Sequence, residues 1–219
     1  MSKRAIGPVF TAAAFMVGLG GPAHAGTQIS RTSFTGSQAF TIFNAGANVT
    51  CDDNQTEGVV FASGFMQAAQ QVQTGDSSFM SNGTLVSLFF YFNSCTGVSM
   101  GGDGGVPNSF TPPDKKLISA ALVGSGTVQD FGTGQTLAVA FNVSFEGDGS
   151  INQMKSNTKQ KIIAATGGPL MVSTTHSASN NRSATVTGTM SIGGVALNPE
   201  FFSSTLSFNG SASRTVSKQ

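Results

Sequence analysis

The chain has 219 residues, only 10% of them charged, and a formal net charge of +1 at pH 7. This balance gives no electrostatic reason to expect nucleic acid or an anionic membrane surface as a partner. The length suits one all-β domain, or two small ones, and is sufficient to bury a hydrophobic core.

The first 25 residues have the features of a signal peptide. Lys3 and Arg4 precede an apolar stretch over residues 5–19, and Ala23-His24-Ala25 forms a small-x-small cleavage site of bacterial style. The apolar stretch is short for a membrane span, although a retained anchor is the alternative. We therefore expect an exported protein, extracellular, on the cell surface or in the periplasm, with no stable membrane span once the signal is removed.

Eight segments of residues 26–219 predict β-strands, because their apolar side chains recur with a period of two or form short runs between turn residues. In chain order they are residues 38–45, 57–66, 84–95, 116–128, 137–145, 169–177, 182–192 and 204–213. No segment has a convincing amphipathic helical pattern. We expect a single all-β domain built as an antiparallel β-sandwich, with a partly closed β-barrel as the alternative.

Two of these segments also predict the degree of burial. Residues 137–145 alternate strictly between apolar and small or polar side chains, which predicts a strand buried on one side. Residues 84–95 are apolar at both odd and even positions, which predicts a central strand covered on both sides.

Three stretches between the strands are rich in turn-forming or polar residues. Residues 97–115 hold many glycines and prolines and predict one long loop. Residues 152–161 predict a polar, basic connection, and residues 175–183 predict a hairpin tip.

Three glycines are spaced evenly within strand candidates. Gly64, Gly126 and Gly188 each lie in a small-Gly-x-apolar pattern. Within a strand, such a glycine marks a bulge or a close approach of two backbones. The spacing suggests duplicated units of about 60 residues, although chance matches are the alternative in a glycine-rich chain.

The two cysteines, Cys51 and Cys95, predict one disulfide bond, because an exported chain with an even number of cysteines generally pairs them. The alternative, a thiol pair with a redox or metal role, lacks both a C-x-x-C spacing and neighbouring histidines.

The acidic, glycine-rich segment at residues 146–150 raises the question of a site. Glu146, Asp148 and Ser150 alternate with glycines, and Asp52 and Asp53 form a second acidic cluster. Calcium takes six to eight oxygen ligands, so these residues are the candidate metal ligands. Calcium is the one cofactor that the sequence suggests. The favoured interpretation is a hairpin turn, because Gly and Asp accept the backbone angles of a chain reversal.

Catalytic signatures are weak. His176 is the one histidine that remains after signal removal, and neither a nucleophile elbow nor a zinc motif occurs. A secreted hydrolase with paired carboxylates is therefore a less favoured hypothesis. The aromatic content is mostly Phe, which we assign to the core, except that Phe201 and Phe202 after Pro199 form a candidate contact pair.

Charge is distributed unevenly along the chain. Between Gly26 and Asp114 one basic residue opposes six acidic ones, a net charge of −5; from Lys115 onwards eight basic residues oppose four acidic ones, a net charge of +4. Head-to-tail stacking of whole molecules is one possible consequence of this distribution, but we favour the interpretation that the opposite charges interleave in the folded chain.

We predict an exported, non-catalytic protein that acts as a surface-structural or protein-interaction module. We expect it to bind an unknown protein or surface partner, or to associate with itself. The alternative is a soluble ligand-binding module, calcium-dependent or not. Nucleic acid is not expected as a partner.

Overall fold

A computed structural model describes residues 27–52, 56–75, 78–106, 110–163 and 170–218. The predicted signal peptide and Asp53 lie outside the described residues. The strands are β1 (Thr27–Thr50), β2 (Glu57–Thr74), β3 (Phe79–Asn93), β4 (Val98–Val106), β5 (Phe110–Thr111), β6 (Ser119–Asp130), β7 (Thr136–Ile163), β8 (Leu170–Ile192) and β9 (Val195–Lys218). Each of the eight predicted segments overlaps one of these strands.

The strands form one antiparallel sheet in the order β4-β3-β2-β1-β9-β8-β7-β6-β5. β4 also pairs with β6, through Gly102 with Asp130 and Asp103 with Gln129, so the sheet closes on itself. The predicted antiparallel all-β fold is confirmed, and this closure is consistent with a β-sandwich or a partly closed barrel. We call the closed part of the sheet the ring.

Glycines of β4 make the closure sterically feasible. The segment 97–115 was expected to be one long loop, but it contains β4 and β5, so that prediction is wrong. A Cβ atom on Gly102 or Gly104 would collide with the main-chain carbonyl oxygens of Gln129 and Thr127 in β6. The glycines that suggested a loop lack a Cβ atom, and this lets β4 and β6 approach each other closely.

The core of the protein lies inside the ring. Val139, Phe141, Val143 and Phe145 of β7 are buried, which confirms the strand predicted at residues 137–145. The buried hydroxyls of Thr41 in β1 and Ser204 in β9 pair with each other inside the ring, through a hydrogen bond of 2.7 Å.

Six strands continue beyond the ring as an open sheet. We call this extension the blade; its members are residues 27–36 of β1, 69–74 of β2, 79–83 of β3, 152–163 of β7, 170–181 of β8 and 207–218 of β9. The predictions of a connection at 152–161 and of a hairpin tip at 175–183 are therefore wrong. Both segments are mostly polar because they lie largely beyond the buried core.

The acidic segment 146–150 lies where β7 passes from the ring into the blade. It is not a chain reversal, because β7 runs without interruption from Thr136 to Ile163. The register against β8 shifts between Asp148 and Asn152, and Gly149 has a φ of 70°. The predicted turn is therefore wrong, and the segment is a β-bulge that redirects the strand.

The three evenly spaced glycines lie in strands. A Cβ atom on Gly64 would collide with the backbone of Ser87, and one on Gly188 with the backbone of Asn142. At Gly126 it would meet the side chain of Val106. The expected close approach of backbones is confirmed at Gly64 and Gly188, while the duplication of units stays a prediction.

Cys51 and Cys95 form the predicted disulfide bond, with Cα atoms 5.3 Å apart. The bond joins the turn after β1 to the turn after β3, and it indicates an oxidising environment. In the part of the chain that the structure describes, no helix has the length and hydropathy needed to cross a lipid bilayer.

Candidate functional site

Nine large apolar side chains form one outward surface on β9, β1, β2 and β3. We call this set the aromatic surface; its members are Phe40, Val59, Phe61, Phe65, Leu85, Phe89, Phe90, Phe92 and Phe202. Phe89 is 59% exposed, and Phe61, Phe90 and Phe202 are each slightly more than 40% exposed. Such side chains ordinarily belong in a core, so their shared exposure forms an apolar patch that is unusual for a protein surface.

An irregularity in β3 creates the centre of this surface. Leu88 and Tyr91 are both buried although they are three residues apart. The register against both β2 and β4 shifts between them, so Phe89 and Phe90 both face outwards. The prediction of a strand covered on both sides is therefore wrong. The run of apolar residues reflects one core-facing side and one exposed aromatic side.

The rings contact one another in two groups. Phe65 lies between Phe40 and Phe89, with ring centroids 5.8 and 5.7 Å away. Phe90 contacts Phe61 at 6.3 Å and Phe92 at 6.4 Å. These separations fall in the range of favourable aromatic pairs. The contacts hold the rings in place and present a preformed apolar platform.

The candidate contact pair Phe201 and Phe202 is divided by its strand. Phe202 lies opposite Ile42 on the outward side and belongs to the aromatic surface. Phe201 is half-buried and packs against the core. Side chains that follow each other along a strand point to opposite faces, so only one residue of the pair is available for contact.

The blade carries a second surface, which is basic. Cross-strand partners point to the same side of a sheet, and the register places Lys159, Thr174, Arg214 and Arg31 in one row across β7, β8, β9 and β1. Lys161 and Lys155 lie on the same side of β7. Lys161 is two residues after Lys159, and Lys155 is four residues before it, with Asn157 between them on the same face. We call this side the basic face.

Arg31 and Arg214 are direct cross-strand partners, and both are exposed. Like charges placed opposite each other destabilise a sheet, so this pair is suited to an anionic partner rather than to folding. A groove of about 580 Å³ lies over the pair and is also lined by Thr74, Thr174 and His176. In the described strands, no Asp or Glu occupies a position on this face of the blade.

His176 lies on the basic face and is exposed. Its Nδ1 atom and the side-chain oxygen of Asn157, its cross-strand partner, are 2.7 Å apart. His176 is therefore a surface residue. Its cross-strand partners are Asn157 and Ala212, and it lies two residues from Thr174 on the same face of β8, so it contributes to the basic face.

Four of the eight acidic residues in the described part of the chain lie towards the opposite end of the ring. We call Asp52, Glu57, Asp130 and Glu200 the acidic end: the first three lie in or near turns and strand termini far from the blade, and Glu200 lies in β9 opposite Asn44. Every Lys and Arg of the described residues lies in the blade, beside it in β8, or in the loop after β5. The expected interleaving of charges is found on the blade side, where Asp114, Glu146 and Asp148 lie near basic residues, but not at the acidic end, where no Lys or Arg of the described residues lies.

Asp130 is held in its ionised form by its own turn. Its Oδ2 atom accepts hydrogen bonds from the hydroxyl of Thr133 at 2.6 Å and from the Thr133 backbone N–H at 2.7 Å. Both bonds favour the carboxylate and lower the pKa of Asp130 below its usual value, the hydroxyl contributing most.

The candidate metal ligands are not brought together. Glu146, Asp148 and Ser150 lie at the blade side of the ring, whereas Asp52 lies at the acidic end. Among the described residues, no group of three or more His, Cys, Asp or Glu side chains is placed to hold a metal ion. Calcium binding stays a prediction, which thermal unfolding with and without chelator tests.

The chain matches no protein-family model, no curated protein and no solved structure. The function is therefore argued from the two surfaces themselves.

Proposed function

We propose that the protein is an exported, non-catalytic protein-interaction module, and that the aromatic surface is where its partner binds. The observation that carries this proposal is the outward exposure of Phe61, Phe89, Phe90 and Phe202 on one side of the ring. Burying these rings against a partner gains about 25 cal/mol for each Å² of apolar area removed from water. The partner is a protein surface of complementary aliphatic or aromatic character.

The rigidity of the surface supports a binding role. The rings project from paired strands of a closed sheet and contact one another, so little side-chain entropy is lost on association. The disulfide bond ties together the turns next to β1 and β3, two of the strands that carry the surface. A preformed aromatic platform of this kind has the character of an interaction hot spot.

The test places a photo-crosslinking amino acid at Phe90 in the producing cell, with Val123 as the matched control site. Val123 is 57% exposed on β6, outside the aromatic surface. We expect a discrete adduct at Phe90 and none at Val123. The captured protein is then purified, and its binding is measured by calorimetry against the wild type and against Phe61→Ser/Phe90→Ser.

Support requires that the purified partner binds the wild type and the Val123→Ser control, and binds the double variant at least about tenfold more weakly. An equal affinity for the double variant, or no adduct at Phe90 above the control, contradicts the proposal. Both variants change exposed side chains, so each is expected to remain folded.

A further inference from the structure

The separation of charge along the molecule implies a partner that the aromatic surface does not explain. The basic face presents Arg31, Arg214, Lys155, Lys159 and Lys161. The acidic end presents Asp52, Glu57 and Glu200 as exposed carboxylates, with Asp130 half-buried between strands. The two sets are opposite in sign and similar in number.

These surfaces cannot neutralise each other within one chain. β1 alone spans the distance between them, from Arg31 in the blade to Thr50 beside the acidic end. At about 3.3 Å for each residue of a strand, this separation is about 60 Å. The screening length at physiological ionic strength is about 8 Å, so attraction across the molecule is negligible. Only a second molecule can bring the two surfaces together.

We propose that the acidic end of one copy of this chain docks on the basic face of the blade of the next copy. The two surfaces differ, so the contact is heterologous, and repetition of it generates an open filament or a ring of subunits. The close pair of Arg31 and Arg214 receives carboxylates from the neighbouring copy and is relieved of its mutual repulsion.

The local structure of the blade favours this assembly over direct pairing of blade edges. Among the strands that the structure describes, β7 pairs beyond Glu146 with β8 alone, so its outer edge is open there. Lysines on such an edge strand oppose addition of an identical strand, because like charges would be brought together. Lys155, Lys159 and Lys161 therefore favour an acidic partner and disfavour stacking of two β7 edges.

The test is a charge-swap experiment on the oxidised protein, followed by sedimentation velocity. One variant reverses the basic face (Lys155→Glu/Lys159→Glu/Lys161→Glu), and a second reverses the acidic end (Asp52→Lys/Glu57→Lys/Glu200→Lys). A control variant, Ser156→Glu/Thr158→Glu/Gln160→Glu, introduces the same number of glutamates on the other side of the same strand, with half the change in net charge.

At low ionic strength, the weight-average mass of the wild type and of the control should rise with protein concentration, to about twice the monomer mass or more. Both assemblies should dissociate as salt is added. Each reversed variant alone is expected to be monomeric. An equimolar mixture of the two reversed variants is expected to assemble again, because each supplies the surface that the other lacks. This recovery also shows that both variants are folded.

Two outcomes overturn the proposal. One is a wild type that stays monomeric at low salt over the whole concentration range. If such a monomer binds poly-L-glutamate through its basic face, the proposal is likewise overturned, and a foreign acidic partner is indicated instead. The other is a mixture of reversed variants that fails to assemble. The aromatic surface is unchanged in all of these proteins, so the result is independent of the proposed function.

Discussion

Closure of the ring depends on glycine at the contact between β4 and β6, and Gly104→Ala tests this dependence. A Cβ atom at position 104 would overlap the carbonyl oxygen of Thr127, so the backbone of one strand must shift. The neighbouring Gly105 supplies the matched control, because a Cβ there meets nothing closer than 3.9 Å.

The magnitude follows from the two local environments. Overpacking against backbone costs about 1–3 kcal/mol, so Gly104→Ala should lower the free energy of unfolding by that amount. In open space, replacement of a strand glycine by alanine gains about 0.5–1 kcal/mol, which is the expectation for Gly105→Ala. The variants should thus differ by about 2–4 kcal/mol, or about 5–15 °C in Tm for a chain of this size.

Thermal and urea unfolding, followed by circular dichroism, measure these differences. Amide hydrogen exchange adds a local readout: Gly104→Ala should accelerate exchange in β6 from Thr127 to Asp130, where β4 closes the ring, and Gly105→Ala should not. If the two variants unfold within about 0.5 kcal/mol of each other, or if exchange in β6 is unchanged, glycine is not what permits the closure.

Three further predictions concern single features. Cys51→Ser/Cys95→Ser should lower the free energy of unfolding by about 2–4 kcal/mol, because a loop with a sequence separation of 44 is released in the unfolded chain; a loss below about 1 kcal/mol in urea titration would contradict this. Ser203→Gly should stabilise the protein by up to about 1 kcal/mol, since φ is 52° at Ser203 and this angle is unfavourable for a residue with a Cβ; Ser203→Ala should show no gain. Thr133→Val should raise the pKa of Asp130 towards its usual value in an NMR titration, because it removes the hydroxyl donor. Because the pKa of Asp130 is lower in the folded chain, its ionisation contributes stability that is fully present at pH values above the usual Asp pKa and is lost as the pH falls through the folded-state pKa. The Thr133→Val variant should therefore lose less stability on acidification than the wild type. An unchanged pKa of Asp130 in this variant would contradict the assignment.

The ring could be predicted from the sequence because burial on one side of a strand leaves a signal with a period of two. Residues 137–145 show it clearly, and their inward side chains are the buried ones. The disulfide bond could also be predicted, because two cysteines allow only one intramolecular pairing. Both inferences rest on information within a single segment or on a count.

The aromatic surface could be predicted only in part. Residues 84–95 were identified as a strand, but the sequence of one strand does not show whether an apolar side chain lies in the core or on an exposed surface. The bulge that turns both Phe89 and Phe90 outwards is set by the register against β2 and β4. That register is a property of three strands together, so no local pattern in β3 could reveal it.

Local residue patterns were enough to predict that the chain is all-β, where the ring strands lie and which cysteines pair. Membership of residues 152–163 and 175–181 in the blade became visible only in the folded sheet. Strands with mostly polar side chains on both sides are held by backbone pairing to distant partners and show no hydrophobic period. The same pairing brings Arg31 beside Arg214, residues 183 positions apart in the chain (214 minus 31), and so creates the basic face. Residues so distant in sequence become neighbours only through strand register, which is fixed when the whole sheet forms.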